Sequence, residues 1–280
     1  MYLQKRGLFS VGFLVLGLAF QAEAQITLTD GNSIAKVDPN SQAGMFYWGV
    51  VTSPTGLIQN QLNKQWFWYG LGTSPTKSID TLGAAVITGL NANTVTTTYT
   101  DSQNRFNIGI TYSLSGGSFA SGTADISEQI KINNTSGTVL PFHFFQYSDF
   151  NMGGDPSGDT GVLSKNGFTL RFNQADQVDG ANLSEVVITP NANHGEVDTV
   201  PNTLNKLNGP YFGSLDDTKT TATGDVAWAF QWDVNINAGS SFLISKDKHL
   251  DVGVVPEPST LALISSGLIV LALHRRRKRA

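Results

Sequence analysis

The 280-residue chain contains no cysteine. That excludes disulfides, thiol nucleophiles, iron–sulfur clusters and cysteine-ligated zinc, so stability has to come from burial. Charge is sparse, at 14% Asp, Glu, Lys and Arg. Basic charge is scarcest in the middle: residues 25–254 hold 11 Lys and Arg against 20 Asp and Glu, a formal charge of −9. Such an acidic surface repels phosphate backbones and argues against nucleic acid as a partner. No amphipathic helix of about ten or more residues can be traced through this stretch, which sets aside helical bundles. No internal repeat is visible, which sets aside propellers and solenoids. Catalytic signatures are missing too. There is no His-Glu-x-x-His and no Gly-x-Ser-x-Gly, and His143, His194 and His249 stand isolated in sequence.

The two ends carry the clearest signals. Lys5 and Arg6 form a positive start, residues 7–20 form an apolar core, and Ala22-Glu23-Ala24 forms a small-x-small cleavage box. Residues 1–24 therefore read as a signal peptide removed by signal peptidase, with Gln25 as the mature start. At the other end, Pro256 and Pro258 hold residues 255–258 extended and stiff. Residues 259–273 then run without a charge. As a helix they reach about 22 Å at about 1.5 Å per residue, short for a hydrocarbon core of about 30 Å. Snorkelling arginines and local thinning of the bilayer make a short transmembrane helix workable. Arg275, Arg276, Arg277, Lys278 and Arg279 follow, and the positive-inside rule leaves that tail in the cytoplasm.

Val255-Pro256-Glu257-Pro258-Ser259-Thr260, the short Leu/Ala/Gly-rich run and the basic tail together resemble the PEP-CTERM sorting signal of exported bacterial proteins. The resemblance covers residues 255–279. It implies that exosortase, a multi-pass membrane transpeptidase-like protease, is a partner. It also implies that Pro256, Glu257 and Pro258 are the recognition residues, and that the protein comes from a cell that makes extracellular polysaccharide. The chain is expected to be exported, held in the membrane transiently by its C-terminus and delivered to the cell surface or extracellular matrix. A permanent anchor without processing is the competing reading of the same tail.

The domain between the ends, residues 25–253, reads as an all-β, antiparallel β-sandwich, with residues 254–280 forming the sorting signal. Short alternating segments are separated by Gly, Asn, Ser and Thr turns. Phe106, Ile108, Ile110, Tyr112 and Leu114 share one face. Ile126, Glu128, Ile130 and Ile132 share another, and residues 139–147 read as the returning strand of a hairpin with them. Residues 79–88 and 168–172 are further strand candidates. Val226, Trp228, Phe230, Trp232, Val234 and Ile236 alternate toward a core.

Three constellations bear on chemistry. Asp149, Asn151, Asp155 and Asp159 bring oxygen side chains together on a Gly-rich loop, the pattern of a calcium site. The bidentate Glu and flanking helices of an EF-hand are absent, so an acidic surface turn fits as well. Trp66, Trp68 and Tyr69 would contact carbohydrate if their rings faced solvent, although tryptophan in a sandwich is commonly core. The carboxylate pairs Asp125/Glu128 and Asp216/Asp217 would serve a glycosidase only in a cleft of suitable separation. With no catalytic constellation visible, the expectation is a non-enzymatic protein with a structural, adhesive or polysaccharide-associated role, in a biofilm matrix or on the cell envelope. The alternative is a polysaccharide-acting hydrolase or lyase bearing the same tag, or an anchored carbohydrate-binding protein.

Overall fold

The computed structural model describes residues 25–210 and 213–253. The signal-peptide and sorting-signal expectations therefore lie outside the described residues. Among those residues no helix is long and apolar enough to cross a membrane.

Strands dominate, as the alternating pattern requires. In chain order they are β1 (Ile26–Asp30), β2 (Ser33–Asp38), β3 (Gly44–Val51), β4 (Ile58–Asn60), β5 (Leu62–Leu71), β6 (Lys77–Ser78), β7 (Val86–Thr88), β8 (Thr94–Thr100) and β9 (Phe106–Gly116). Then come β10 (Thr123–Asn134), β11 (Leu140–Phe150), β12 (Asp159–Lys165), β13 (Phe172–Val178), β14 (Asn182–Thr189) and β15 (His194–Thr199). A short helix, α1 (Asn202–Leu207), precedes β16 (Thr221–Gly224), β17 (Val226–Ile236) and β18 (Ser241–Asp251). They form two nine-stranded sheets. The first runs β1-β2-β3-β5-β11-β17-β15, with β4 on β3 and β6 on β5. The second runs β16-β12-β13-β14-β18-β10-β9-β8-β7. Apart from a brief β3–β5 contact, pairing is antiparallel.

The sheets pack face to face over an aromatic core. Phe67 stacks on Phe144 at 5.7 Å, Phe150 on Trp228 at 5.6 Å, and Phe106 meets Phe142 edge-on at 5.1 Å. Rings this close add to their area of burial through the quadrupole. The alternation read in β9 and β10 is the alternation found, with Ile108, Ile126 and Ile130 buried. In β17 Trp228, Phe230 and Trp232 are buried as expected, but both faces are covered from Val226 to Trp232 and Val234 is only partly buried.

Three expectations need correction. β10 and β11 are not a hairpin. β10 pairs with β9 and β18, whereas β11 pairs with β5 and β17 in the other sheet. Both strands carry an apolar face, and the chain crosses from one sheet to the other after Asn134 so that those faces meet across the core. Residues 79–88 begin as a 3-10 turn (Ile79–Leu82), and only Val86–Thr88 is strand. Residues 168–171 form the tip of the β12–β13 connection. There Leu170 takes a left-handed φ of 55° and Phe168 is almost wholly exposed, so the strand begins only at Phe172.

Register also orients the molecule. β18 starts beside Asn133 and ends with Asp251 beside Thr123 and Asn182. Leu140 and Ile236 pair at the end where β18 starts, with Ile236 O accepting from Asn134 Nδ2. The described chain thus leaves toward residue 254 from the end opposite to Leu140.

Candidate acid–base site on the outer sheet face

Alternation sends Phe142, Phe144 and Gln146 of β11 inward and His143, Phe145 and Tyr147 outward. Antiparallel pairing sets His143 opposite Asp233 of β17, and Gln231 opposite both Phe145 and His194 of β15. Three adjacent strands therefore place polar side chains on one outer patch. His143 Nδ1 lies 2.6 Å from Asp233 Oδ1, and His194 Nε2 lies 3.3 Å from Asp233 Oδ2. His194 Nδ1 lies 2.9 Å from Asp217 Oδ2, and the Gly195 N–H donates to Asp217 Oδ1 at 3.2 Å. Gln231 Nε2 donates to Asp233 at 2.8 Å, and Gln231 Oε1 accepts from the Leu215 N–H. The result is a chain of imidazole, carboxylate, imidazole and carboxylate.

These groups are reachable. Their side chains are 21–36% exposed, and a shallow cleft of about 160 Å³ opens over Pro141, His143, Asp233 and Asn235. Asp233 raises the affinity of His143 for a proton through its hydrogen bond, against the opposing effect of burial. Burial works to raise the Asp233 pKa, but the bonds from His143 and Gln231 outweigh it and hold the carboxyl below its usual range. A carboxylate fixed between two imidazoles keeps a proton donor and an acceptor side by side near neutral pH, the condition for general acid–base work.

The segment after β15 covers the rest of this face. Thr76 Oγ1 donates to Leu207 O at 2.5 Å, and Trp68 Nε1 donates to Asn208 Oδ1 at 3.0 Å. This cover meets Trp68, whereas Trp66 packs against Tyr99 and Phe67. Trp66 and Trp68 have no exposed surface, and Trp66 Nε1 is held by Ser78 Oγ at 2.8 Å. A ring with both faces packed has none to offer a sugar, so Trp66 and Trp68 are core. Tyr69, also largely buried, edges a cleft of about 540 Å³ beside Lys77, Thr81, Asp101 and Arg105.

The oxygen-rich loop is not drawn together as a calcium cage. Asp149 is buried and takes hydrogen bonds from Asn63 and Tyr147, and Asn151 follows it at the end of β11. Asp155 is exposed and caps Ser157. Asp159 starts β12 in the other sheet with both carboxylate oxygens buried and no well-formed hydrogen bond to either. Among the described residues no three His, Asp or Glu side chains are arranged to hold a metal ion. The suggested carboxylate pairs also separate. Asp125 meets His249 on the exposed face while Glu128 is in the core, and Asp216 caps Thr218 while Asp217 joins His194. His143, His194 and Asp233 were missed as a unit because only strand pairing unites them. The available signal was that His143 and Asp233 each stand between apolar residues and so had to face outward; His194, between Asn193 and Gly195, carried no such signal.

A family model described as the PEP-CTERM protein-sorting motif matches residues 254–278. The chain carries that tag, which implies export, a transient membrane anchor and processing by exosortase. No curated protein matches the chain. The sandwich is similar to a galactose mutarotase related enzyme from Lactobacillus acidophilus, with TM-score 0.54, 8% identity, 82% of this chain and 98% of that one. It is similar to a provisionally named aldose 1-epimerase of Escherichia coli K12, with TM-score 0.53, 10% identity, 81% of this chain and 98% of that one. A galactose mutarotase-like protein from Lactobacillus casei gives TM-score 0.51, 10% identity, 81% of this chain and all of the other. The domain therefore has an aldose epimerase-like β-sandwich fold. That finding corrects the expectation of a non-enzymatic protein, because the fold is shared with structures that carry the names of enzymes.

Proposed function

We propose that this tagged, exported sandwich acts on saccharide at its His143–Asp233–His194 site, interconverting the anomers of an aldose or of a glycan's reducing end. The observation that carries the reading is the Asp233 carboxylate held between two imidazoles on an accessible sheet face. Opening a cyclic aldose requires one group to take the proton from the anomeric hydroxyl while another gives a proton to the ring oxygen. Rotation about the first carbon–carbon bond and reversal of both transfers closes the other anomer. Neighbouring groups of opposite protonation state can perform this pair of transfers, and His143 with the Asp233–His194 pair supplies them. Position supports the same reading. His143 lies toward the end of the sandwich marked by Leu140 and Ile236, while β18 leads to the sorting tag from the opposite end. A membrane-tethered molecule would present the site away from its anchor, to cell-surface or matrix polysaccharide.

Polarimetry with freshly dissolved α-galactose and α-glucose tests the proposal. The purified protein should speed mutarotation above buffer, and His143→Gln should lower the rate by about 10²-fold with the fold unchanged by circular dichroism. A rate equal to buffer for both sugars, with no shift in the His143 and His194 ring resonances on adding either sugar or a matrix oligosaccharide, would sink it.

A further inference from the structure

The sandwich encloses four charges that the proposed site does not use. Glu128 of β10, Glu185 of β14, and Lys246 and Lys248 of β18 all point into the core, and their side chains have no exposed surface. Replacing such a set with apolar residues is commonly neutral or stabilising, so its presence asks for a reason. Its geometry is asymmetric. Lys248 Nζ meets Glu128 Oε1 at 2.6 Å and no amide. Lys246 Nζ meets Glu128 Oε2 at 2.6 Å, Glu185 Oε1 at 2.9 Å and, from the opposite sheet, Gln146 Oε1 of β11 at 2.5 Å. The Gln146 amide nitrogen in turn donates to Glu185 Oε2 at 3.1 Å. One carboxylate thus touches a lysine nitrogen with one oxygen and a carboxamide nitrogen with the other.

We propose that Lys246 and Gln146 form an intramolecular isopeptide bond that joins the two sheets covalently, with Glu185 carrying the proton between nucleophile and leaving group. The ammonium gives one proton to Glu128, leaving a neutral amine. Its nitrogen lone pair attacks Gln146 Cδ, which lies one carbonyl bond beyond the oxygen it already touches. Glu185 Oε1 takes a further proton from Nζ, and Glu185 Oε2 returns one to the departing amide nitrogen. The Cδ–Nε2 bond breaks, ammonia leaves, and the new Nζ–Cδ amide keeps one hydrogen. Glu128 retains the first proton. The core then holds Lys248 as a cation against ionised Glu185 and neutral Glu128, so charge balances before and after. No oxidant or cofactor takes part.

Burial works to raise the Glu128 and Glu185 pKa values, but ion pairing with the two lysines outweighs it and holds both below the usual carboxylate range, so each takes a proton only as Lys246 loses its charge. The lysine side is more favourable. Burial lowers the Lys246 pKa; Glu128 and Glu185 oppose it, but with the Lys248 charge pushing the same way as burial the net direction is down. Lys248 moves the other way, because its two carboxylates overcome the burial. The amine more readily deprotonated is therefore the one against the amide. Phe67 lies 5.6 Å from Lys246 Nζ, and Trp228 Nε1 donates to Glu185 Oε2 at 3.0 Å, fixing the carboxylate in place. Reacting groups held together in this way gain a large effective concentration. The product would supply the covalent cross-link that a cysteine-free exported domain lacks.

Mass spectrometry of the folded full chain, after denaturation and proteolysis, decides the matter. The expected result is a branched peptide joining the segments around Gln146 and Lys246, lighter than their sum by one ammonia, about 17 Da. Glu185→Gln, which preserves shape, should leave the two peptides separate at full mass. Should that variant fail to fold, the wild-type digest still decides. Separate wild-type peptides at full mass would overturn the proposal. A loss of one water, about 18 Da, would overturn the assignment to Gln146 by moving the bond to Glu128 or Glu185.

Discussion

The molecule contains two charge networks with similar contacts and opposite surroundings. Between the sheets, Glu128, Glu185, Lys246 and Lys248 meet at 2.6–3.5 Å with no exposed surface. On the outer face, His143, Asp233, His194 and Asp217 meet at 2.6–3.3 Å with about a quarter to a third of each side chain in solvent. The shortest distance is the same in both, so distance does not separate them. Solvent does. A charge that loses its partner in the core has nothing to replace it, whereas water replaces a partner lost on the sheet face. The dry network is therefore tied to the fold, and the wet one is free to exchange protons and take a ligand.

The largest effect that could break this contrast comes from removing one core cation. Lys248→Met leaves two buried carboxylates with less compensation and should destabilise by about 3–5 kcal/mol, read from the midpoint of urea unfolding. Asp233→Asn on the outer face should shift the same midpoint by less than about 1 kcal/mol while abolishing the proposed mutarotation. Equal shifts for the two variants would erase the distinction.

A third site sharpens it. Asp159 is buried like the core quartet, and the Gln177 amide and Met152 N–H approach its carboxylate without completing a well-formed hydrogen bond to either oxygen. Burial, aided by the charges of Asp179 and Asp225 and opposed by the nearby Gln177 amide and Met152 N–H, raises its pKa to about 7. Asp159→Asn should accordingly stabilise the protein at pH 8 by about 1–3 kcal/mol, the scale of an unsatisfied buried polar group. The sign at lower pH follows from linkage. The folded carboxyl binds its proton near pH 7 and the unfolded one near its ordinary value of 3.8, so stability rises as pH falls through that window. The advantage of the asparagine should shrink as pH is lowered from 8 to 5. A variant less stable than wild type at pH 8 would show that Asp159 has a cationic partner in solution.

The sandwich was legible because its strands alternate. Phe106 to Leu114 and Val226 to Ile236 each announce a buried face regardless of their partners. Partners are another matter. His143 and Asp233 are 90 positions apart and meet only because β11 pairs with β17. β10 and β11 are close in sequence and pair with different sheets. The burial of Trp68 involves the segment carrying Asn208, and that of Trp66 involves Ser78 and Tyr99, which no pattern within β5 encodes. The sorting tag needed no partner at all, since its proline pair, apolar run and basic cluster are contiguous, and the family model finds it at residues 254–278. Local periodicity sets which face is buried. Long-range pairing sets which buried or outward residues become a site.

The smallest effect bears on the wet network. The hydrogen bond that His143 donates to Asp233 raises the His143 pKa in the folded state, with burial opposing and the Gly72 carbonyl assisting. In the unfolded chain a histidine titrates near about 6.5. The contribution of the pair is therefore fully present below that value and is lost as pH rises through the higher folded pKa. Asp159 also favours acid, so the wild-type profile sums the two effects. Comparing Asp159→Asn with Asp159→Asn/His143→Gln separates them: the difference in unfolding midpoint should narrow between pH 6 and pH 8 and diminish in high salt, as a partly exposed ion pair requires. The His143 Cε1 proton resonance should titrate above the ordinary histidine value in wild type and move back toward it in Asp233→Asn. A titration unchanged by that substitution would assign the raised affinity to the Gly72 carbonyl, and the outer face would then lack the coupled carboxylate on which its acid–base chemistry depends.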